Sequence, residues 1–228
     1  MNELLDQIFL TNKRMVRIKI CGITTLEDAM ASVEAGADAL GFNFYPKSPR
    51  YIEPAEARRI IEQLPAAVLN VGVFVNEEVE EVQRIAAEVG LGAVQLHGDE
   101  PAPYCRKLRD LFVIKALRVN AEFEPEQAVA YETDAILLDG FSPHAYGGSG
   151  RKVDWAIAIQ TRPLVAKLFL AGGLNVENVA AAISAVQPYA VDACSGLESA
   201  PGLKDVSKVR AFIKAAREAG SSASNDVR

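Results

Sequence analysis

The chain has 228 residues, half of them hydrophobic and 24% of them charged, with a net charge of −6 at pH 7. Its length suits a single α/β barrel, and its composition suits one large core rather than a disordered chain. The negative charge and the lack of a basic run disfavour a nucleic-acid binder, and no apolar run is long enough to predict a membrane span.

The ends of the chain and its cysteines bear on its compartment. Residues 1–14 lack the basic start and the cleavage site of a signal peptide, so we expect an N-terminal extension and a cytoplasmic protein. Residues 15–220 are predicted to form the catalytic barrel domain, and the polar residues 221–228 a flexible tail. Cys21, Cys105 and Cys194 lie far apart without a CxxC spacing, which argues against structural zinc and against a disulfide framework and is typical of a reducing compartment.

Short apolar segments alternate with amphipathic segments along the chain. Strands are predicted at 16–22, 37–45, 69–76, 93–98, 112–119, 135–140, 168–174 and 190–198. Helices are predicted after them at 26–35, 54–64, 79–90, 101–111, 124–132, 154–160, 176–187 and 205–220. Pro54 suits a first helical turn, Gly90 a helix end and Asp154 an N-cap.

This alternation predicts βαβ units and a parallel sheet. Eight units predict an α/β fold of one closed (β/α)₈ TIM barrel, whose active site forms at the carboxyl ends of the strands. An open doubly wound sheet is the alternative, although no GxGxxG follows the first strand. Polar residues or glycines stand at most predicted strand ends: Cys21, Asn43, Asn76, Gln95, His97, Arg118, Asp139, Gly172, Gly173, Asp192 and Ser195.

The alternation of faces along two strands suggests an acid and a base. If Ile18 and Ile20 face the helices, Cys21 faces into the barrel. Asp139 does so too if Leu138 faces the helices. A thiol and a carboxylate that share one cavity can act as base and acid. The alternative is that Cys21 is a buried, unreactive thiol, which is the more common state of a free cysteine.

The loops after the seventh and eighth strands contain small residues where a backbone can approach a ligand. They include Gly172 and Gly173 in "LAGGL" and Ser195 and Gly196 in "ACSGL". In many barrels these two loops and a short extra helix bind phosphate. Ordinary turn glycines are the alternative, but two such loops on adjacent strands favour phosphate.

Several of these segments together resemble one family. They are "KICGIT" (19–24), "GFNFYPKSPRYI" (41–52), "QLHGDE" (95–100), "LAGGLNVENV" (170–179) and "VDACSG" (191–196). Over residues 15–215 the chain resembles phosphoribosylanthranilate isomerase of tryptophan biosynthesis. The resemblance implies an Amadori rearrangement of N-(5-phosphoribosyl)anthranilate to 1-(2-carboxyphenylamino)-1-deoxyribulose 5-phosphate. It implies no cofactor and no metal, a phosphorylated small-molecule substrate, and a monomer or homodimer that binds neither nucleic acid nor membrane.

The resemblance also implies roles for individual residues. Asp139 would be the general acid that opens the sugar ring, and Cys21 the general base that removes the C2 proton. Arg50 would pair with the anthranilate carboxylate. The phosphate would be held by Gly172, Gly173, Ser195 and Gly196.

Other positions remain open under the same resemblance. Asp192 either contacts the ligand or orients its loop, and Gln95 and His97 are expected to be supporting polar groups. Cys194 stands where family members often carry serine, which leaves the role of its side chain open.

Three other functions are considered. The related histidine-pathway isomerase uses a carboxylate at the end of its first strand, where this chain has Cys21. A Schiff-base aldolase would use Lys115. A non-catalytic phosphosugar-binding module would need no acid and base in one cavity.

Overall fold

Eight parallel strands close into a barrel in the computed structural model, which describes residues 16–141, 146, 150 and 152–222. Each strand pairs with the next along the chain, and β8 pairs with β1. The strands are β1 Arg17–Cys21, β2 Ala39–Asn43, β3 Leu69–Phe74, β4 Ala93–Leu96, β5 Phe112–Val119, β6 Ala135–Gly140, β7 Leu168–Leu170 and β8 Ala190–Ala193. The predicted (β/α)₈ barrel is therefore confirmed, and the open sheet is wrong.

Helices cover the outside of the barrel. The α-helices are Leu26–Glu34, Pro54–Ile61, Val79–Val89, Ala102–Arg106, Trp155–Thr161, Val179–Val186 and Val206–Ser222. Local signals set their ends: the Thr25 hydroxyl accepts a hydrogen bond from the Asp28 N–H, and Asp154 caps its helix through the Ala156 N–H. Gly90 ends its helix at φ 77°, in the left-handed region that favours glycine.

Two of the differences from the predicted elements lie in the segments after β5 and β8. The helix predicted at 124–132 is a 3₁₀-helix, Pro125–Tyr131, closed at its start by a capping box between Glu124 and Gln127. Its i→i+3 hydrogen bonds wind the chain more tightly than those of the predicted α-helix. The eighth strand ends at Ala193, and a 3₁₀-helix, Ser195–Leu197, follows it as the short extra helix of the predicted phosphate loops.

The core has two layers, as the period-2 pattern predicts. Small and aliphatic side chains such as Val71, Ala116 and Leu137 fill the barrel interior. Ile18, Ile20, Ile136 and Leu138 pack in the outer layer against the helices. This arrangement directs the intervening side chains of β1 and β6 into the barrel.

The predicted N-terminal extension, residues 1–14, lies outside the described residues, as do residues 223–228. The last helix ends at Ser222, so it includes the first two residues of the predicted tail. Within the described part of the chain, no helix has both the length and the apolar character needed to cross a membrane.

Candidate active site

The carboxyl ends of the strands open into a cleft. It is lined by every residue predicted for the site: Cys21, Arg50, Asp139, Gly172, Gly173, Asp192, Ser195 and Gly196. Asn43, Gln95 and His97 also line it. The structure thus brings the predicted residues to one place, while their individual roles stay predictions.

Two other strand-end residues, Asn76 and Arg118, contact neighbouring loop residues instead. Asn76 accepts a hydrogen bond from the Asp99 N–H through its side-chain oxygen (2.7 Å), and its own N–H donates to Glu100 (2.7 Å). Arg118 pairs with Asp99, which also accepts a hydrogen bond from the Tyr146 hydroxyl. These contacts explain two of the polar strand ends without a ligand.

Cys21 is the last residue of β1 and is almost fully buried beside charged groups. Lys19, two residues earlier on the same face, forms a buried ion pair with Asp192 (2.9 Å). Although burial favours the neutral amine, the charges of Asp192 and Cys21 raise the pKa of Lys19 above its ordinary value. Burial raises the pKa of Asp192 to about 6, against the opposing effect of Lys19. A permanent cation therefore lies next to the Cys21 sulfur.

A second thiol contacts Cys21. A hydrogen bond from Cys194, together with the charges of Lys19 and Lys204, holds the pKa of Cys21 well below its ordinary value despite burial. The same hydrogen bond and burial hold the pKa of Cys194 well above its ordinary value. These effects favour the thiolate form of Cys21 over that of Cys194.

Asp139 projects from the carboxyl end of β6 and is buried. Its Oδ1 accepts a hydrogen bond from the Gly140 N–H (2.8 Å), and its Oδ2 lies 3.2 Å from Nε2 of His97. The other ring nitrogen of His97 lies 2.6 Å from the side-chain nitrogen of Gln95. Gln95 and His97 thus lie in one chain of contacts with Asp139, and the supporting role of the first two residues stays a prediction.

Arg50 reaches the cleft from the loop after β2, where an acidic partner holds it. Its Nε and Nη2 donate to the two carboxylate oxygens of Glu198 (2.8 and 2.7 Å). Lys204 donates to the same carboxylate (3.0 Å). These two cations hold the pKa of Glu198 down at about 2 although burial opposes that direction. Sequence reasoning missed Glu198 and Lys204, because no local pattern places them beside Arg50.

The loops after β7 and β8 touch each other through their backbones. Gly172 and Gly173 have φ values of 82° and 62°. A Cβ added to Gly196 would lie 2.3 Å from the carbonyl oxygen of Leu174, so the close approach requires glycine there. Among the described residues, the N–H groups of Gly172, Gly173, Ser195 and Gly196 donate to no protein acceptor.

Lys115 lies outside the cleft. Its ammonium group is buried against Glu100 (2.6 Å) and also donates to the carbonyl oxygen of Gly98 (2.9 Å). Val113 and Leu117, two residues to either side of it, pack in the outer core layer. Lys115 therefore points away from the barrel interior, which argues against the Schiff-base aldolase.

Comparison with known proteins supports the resemblance. The family model described as N-(5'-phosphoribosyl)anthranilate (PRA) isomerase matches residues 18–215. The chain belongs to this family. The N-(5'-phosphoribosyl)anthranilate isomerase of Thermotoga maritima is 54% identical over 204 residues, which are 89% of this chain and 99% of that protein. This match favours the phosphoribosylanthranilate isomerase family over the histidine-pathway isomerase.

Two solved structures of the family have the same fold. A crystal structure of monomers of the dimeric phosphoribosylanthranilate isomerase from Thermotoga maritima superimposes with a TM-score of 0.81 at 50% identity. A phosphoribosylanthranilate isomerase in complex with reduced 1-(o-carboxyphenylamino)-1-deoxyribulose 5-phosphate does so with a TM-score of 0.81 at 51% identity. Each match covers 90% of this chain and 100% of the other. The TIM barrel is thus shared with members of the phosphoribosylanthranilate isomerase family.

Proposed function

We propose that this chain catalyses the Amadori rearrangement of N-(5'-phosphoribosyl)anthranilate, with Asp139 as general acid and Cys21 as general base. The observation that carries the proposal is that these two side chains, from β6 and β1, line the same cleft. A relative 51% identical to this chain has been solved with a reduced 1-(o-carboxyphenylamino)-1-deoxyribulose 5-phosphate. That molecule has the carbon and phosphate skeleton of the proposed product.

The reaction begins at Asp139. Its protonated carboxyl group donates to the furanose ring oxygen, the bond from that oxygen to C1 breaks, and a Schiff base forms between C1 and the anthranilate nitrogen. His97, whose Nε2 lies 3.2 Å from Oδ2 of Asp139, orients the carboxyl group of the acid. The side-chain nitrogen of Gln95 lies 2.6 Å from the other ring nitrogen of His97, Nδ1, and holds the imidazole in place.

Cys21 then acts as the base. Its thiolate removes the proton from C2, which gives an enolamine that tautomerises to the ketone product. The hydrogen bond from Cys194 and the charges of Lys19 and Lys204 lower the pKa of Cys21 despite its burial and thereby favour the thiolate form. Asp192 holds Lys19 in place through their 2.9 Å ion pair and is thereby a positioning residue.

Arg50 is proposed to bind the anthranilate carboxylate. Glu198 engages its Nε and Nη2, which fixes the plane of the guanidinium group. Within the described residues Nη1 donates to no acceptor, so its two N–H groups remain for the substrate.

The substrate phosphate is proposed to bind between the loops after β7 and β8. The N–H groups of Gly172, Gly173, Ser195 and Gly196, which have no acceptor within the described part of the chain, supply donors there, and no side chain at the glycines blocks the approach. The cytoplasmic location and the monomer or homodimer state stay predictions.

The test is a fluorescence assay that follows the loss of phosphoribosylanthranilate with purified protein. Cys21→Ala and Asp139→Asn should each lower kcat by about 10²–10⁴, the usual contribution of a general acid or base. Cys105→Ala is the matched control, because that thiol is buried in the outer layer of the core. Turnover near that of the unmodified enzyme in Cys21→Ala would return Cys21 to the unreactive-thiol interpretation.

A further inference from the structure

Cys21 and Cys194 occupy neighbouring positions at the ends of two paired strands. β1 and β8 are parallel, and Lys19 pairs with Asp192 and Ile20 with Ala193. Continuing this register by one residue places Cys21 opposite Cys194. Neighbouring strands lie about 4.8 Å apart, which falls within the Cα–Cα range of about 4.4–6.8 Å that a disulfide requires.

The side chains of this pair meet. Cys21 follows Lys19 by two residues and Cys194 follows Asp192 by two, so both thiols lie on the face that carries the Lys19–Asp192 ion pair. Each thiol shifts the pKa of the other, so the two side chains are close enough to interact. A Cβ added to Gly22, the residue after Cys21, would lie 2.9 Å from Sγ of Cys194. The absence of a side chain at Gly22 thus makes room for the second sulfur.

The surroundings favour oxidation of this pair. Both cysteines line the cleft, so a small oxidant in solution can reach them. Lys19 stabilises the Cys21 thiolate, and Nζ of Lys204 lies 3.8 Å from Sγ of Cys194. A thiolate near cations with a second thiol in contact has the features of a redox-sensitive site.

We infer that Cys21 and Cys194 form a reversible disulfide when a hydroperoxide oxidises the protein. In the first step the Cys21 thiolate attacks the terminal oxygen of the hydroperoxide. An S–O bond forms, the O–O bond breaks, and the departing alkoxide takes up a proton to leave as an alcohol. Sulfur is oxidised by two electrons, and the peroxide is reduced by two.

In the second step the Cys194 sulfur attacks the Cys21 sulfenic acid. The S–S bond forms, the S–O bond breaks, and the proton of the Cys194 thiol leaves with the hydroxide as water. A dithiol reductant reverses the reaction by thiol–disulfide exchange and is itself oxidised to a disulfide.

The disulfide would switch the enzyme off. This consequence rests on the proposed function, because the oxidised Cys21 can no longer take a proton from C2. Activity should therefore fall in proportion to the oxidised fraction and return on reduction. A serine at position 194 cannot form the disulfide, so this reversible inactivation depends on the cysteine that this chain has there.

The experiment treats the full-length protein with tert-butyl hydroperoxide and then with dithiothreitol. Intact mass and peptide mapping follow the cysteines, and the fluorescence assay follows activity relative to each untreated protein. The expected result is a Cys21–Cys194 linked peptide, the loss of two hydrogen atoms, and recovery of activity with dithiothreitol. Cys105, whose pKa burial raises to about 11, should stay a free thiol.

Cys194→Ser is the decisive variant. Its Cys21 has no partner, so the sulfenic acid should be trapped by dimedone or proceed to sulfinic acid, which dithiothreitol does not reduce. Cys105→Ala keeps the pair as the only thiols and should still form the linked peptide. Oxidised Cys21 beside an unlinked Cys194 in the unmodified chain, or a disulfide between two molecules, would overturn the inference.

The mass data separate this inference from the proposed function. A Cys21–Cys194 disulfide that leaves activity unchanged would support the thiol pair and refute Cys21 as the base. An inactive Cys21→Ala variant together with no disulfide in the unmodified chain would support Cys21 as the base and refute the disulfide.

Discussion

Glu198→Gln tests whether one carboxylate organises two cations at the cleft. The side chain accepts two hydrogen bonds from Arg50 and one from Lys204, at 2.7 to 3.0 Å, and all three groups are largely buried. Glutamine has nearly the same shape but no charge. Its amide nitrogen would face cationic donors, so at least one of the hydrogen bonds is lost and two cations remain without a counter-ion.

The size of the effect follows from the pKa of Glu198, which lies at about 2 instead of 4.5. A displacement of that size corresponds to at most about 3 kcal/mol of interaction with the ionised form. Removing one partner of a buried pair usually costs about 3–5 kcal/mol. Because the cluster borders the open cleft, we expect the free energy of unfolding to fall by about 2–3 kcal/mol, or Tm by roughly 4–12 °C.

The contribution of Glu198 to the free energy of unfolding depends on pH. A depressed carboxyl pKa stabilises the folded state at pH values above 4.5, and this contribution is lost as the pH falls toward 2. The stability difference between Glu198→Gln and the unmodified chain should therefore be constant from pH 5 to 8 and shrink below pH 4.5. Urea unfolding followed by circular dichroism at several pH values measures it.

The matched control is Glu62→Gln. Glu62 also pairs with an arginine, Arg58, at 2.7 Å, but both side chains are more than half exposed, 58% and 55%. Such an exposed pair contributes little to stability, because water and salt screen its charges. Equal destabilisation by the two substitutions would refute the argument that burial makes the Glu198 cluster strong.

Kinetics of the same variant test Arg50. Without Glu198 the guanidinium group loses its fixed plane, so KM for phosphoribosylanthranilate should rise more than kcat falls. An unchanged KM in a destabilised Glu198→Gln protein would mean that Arg50 does not bind the substrate carboxylate.

Three further predictions concern the thiolate, the phosphate loops and the excluded lysine. As the pH is raised, the rate of Cys21 alkylation by iodoacetamide should reach its plateau before pH 9.0, the ordinary pKa for this thiol, because the Cys194 hydrogen bond and two lysines lower the pKa of Cys21. A rate that still rises beyond pH 9 would contradict this. Gly196→Ala should weaken inhibition by inorganic phosphate, since its Cβ would collide with the carbonyl oxygen of Leu174. Gly90→Ala, at a helix end with no atom near the added Cβ, should leave that inhibition unchanged. Borohydride added during turnover should leave no reduced adduct on Lys115, and a trapped peptide containing it would revive the aldolase.

The sequence determined the barrel and the faces of its strands. Period-2 alternation in β1 and β6 predicted that Cys21 and Asp139 face inward, and the positions of Ile18, Ile20, Ile136 and Leu138 in the outer layer agree with it. Capping residues such as Asp154 and Gly90 also predicted helix ends, because caps act on the backbone within a few residues. The catalytic roles came from the family resemblance and not from these patterns.

Only the tertiary structure decided which distant groups meet. Lys19 and Asp192 are 173 positions apart, and they pair because β8 closes the barrel against β1. The same closure brings Cys194 to Cys21, and the loop after β8 carries Glu198 to Arg50, 148 positions away. Local patterns specify the face on which a side chain lies, whereas barrel closure and register specify which side chains on that face come into contact.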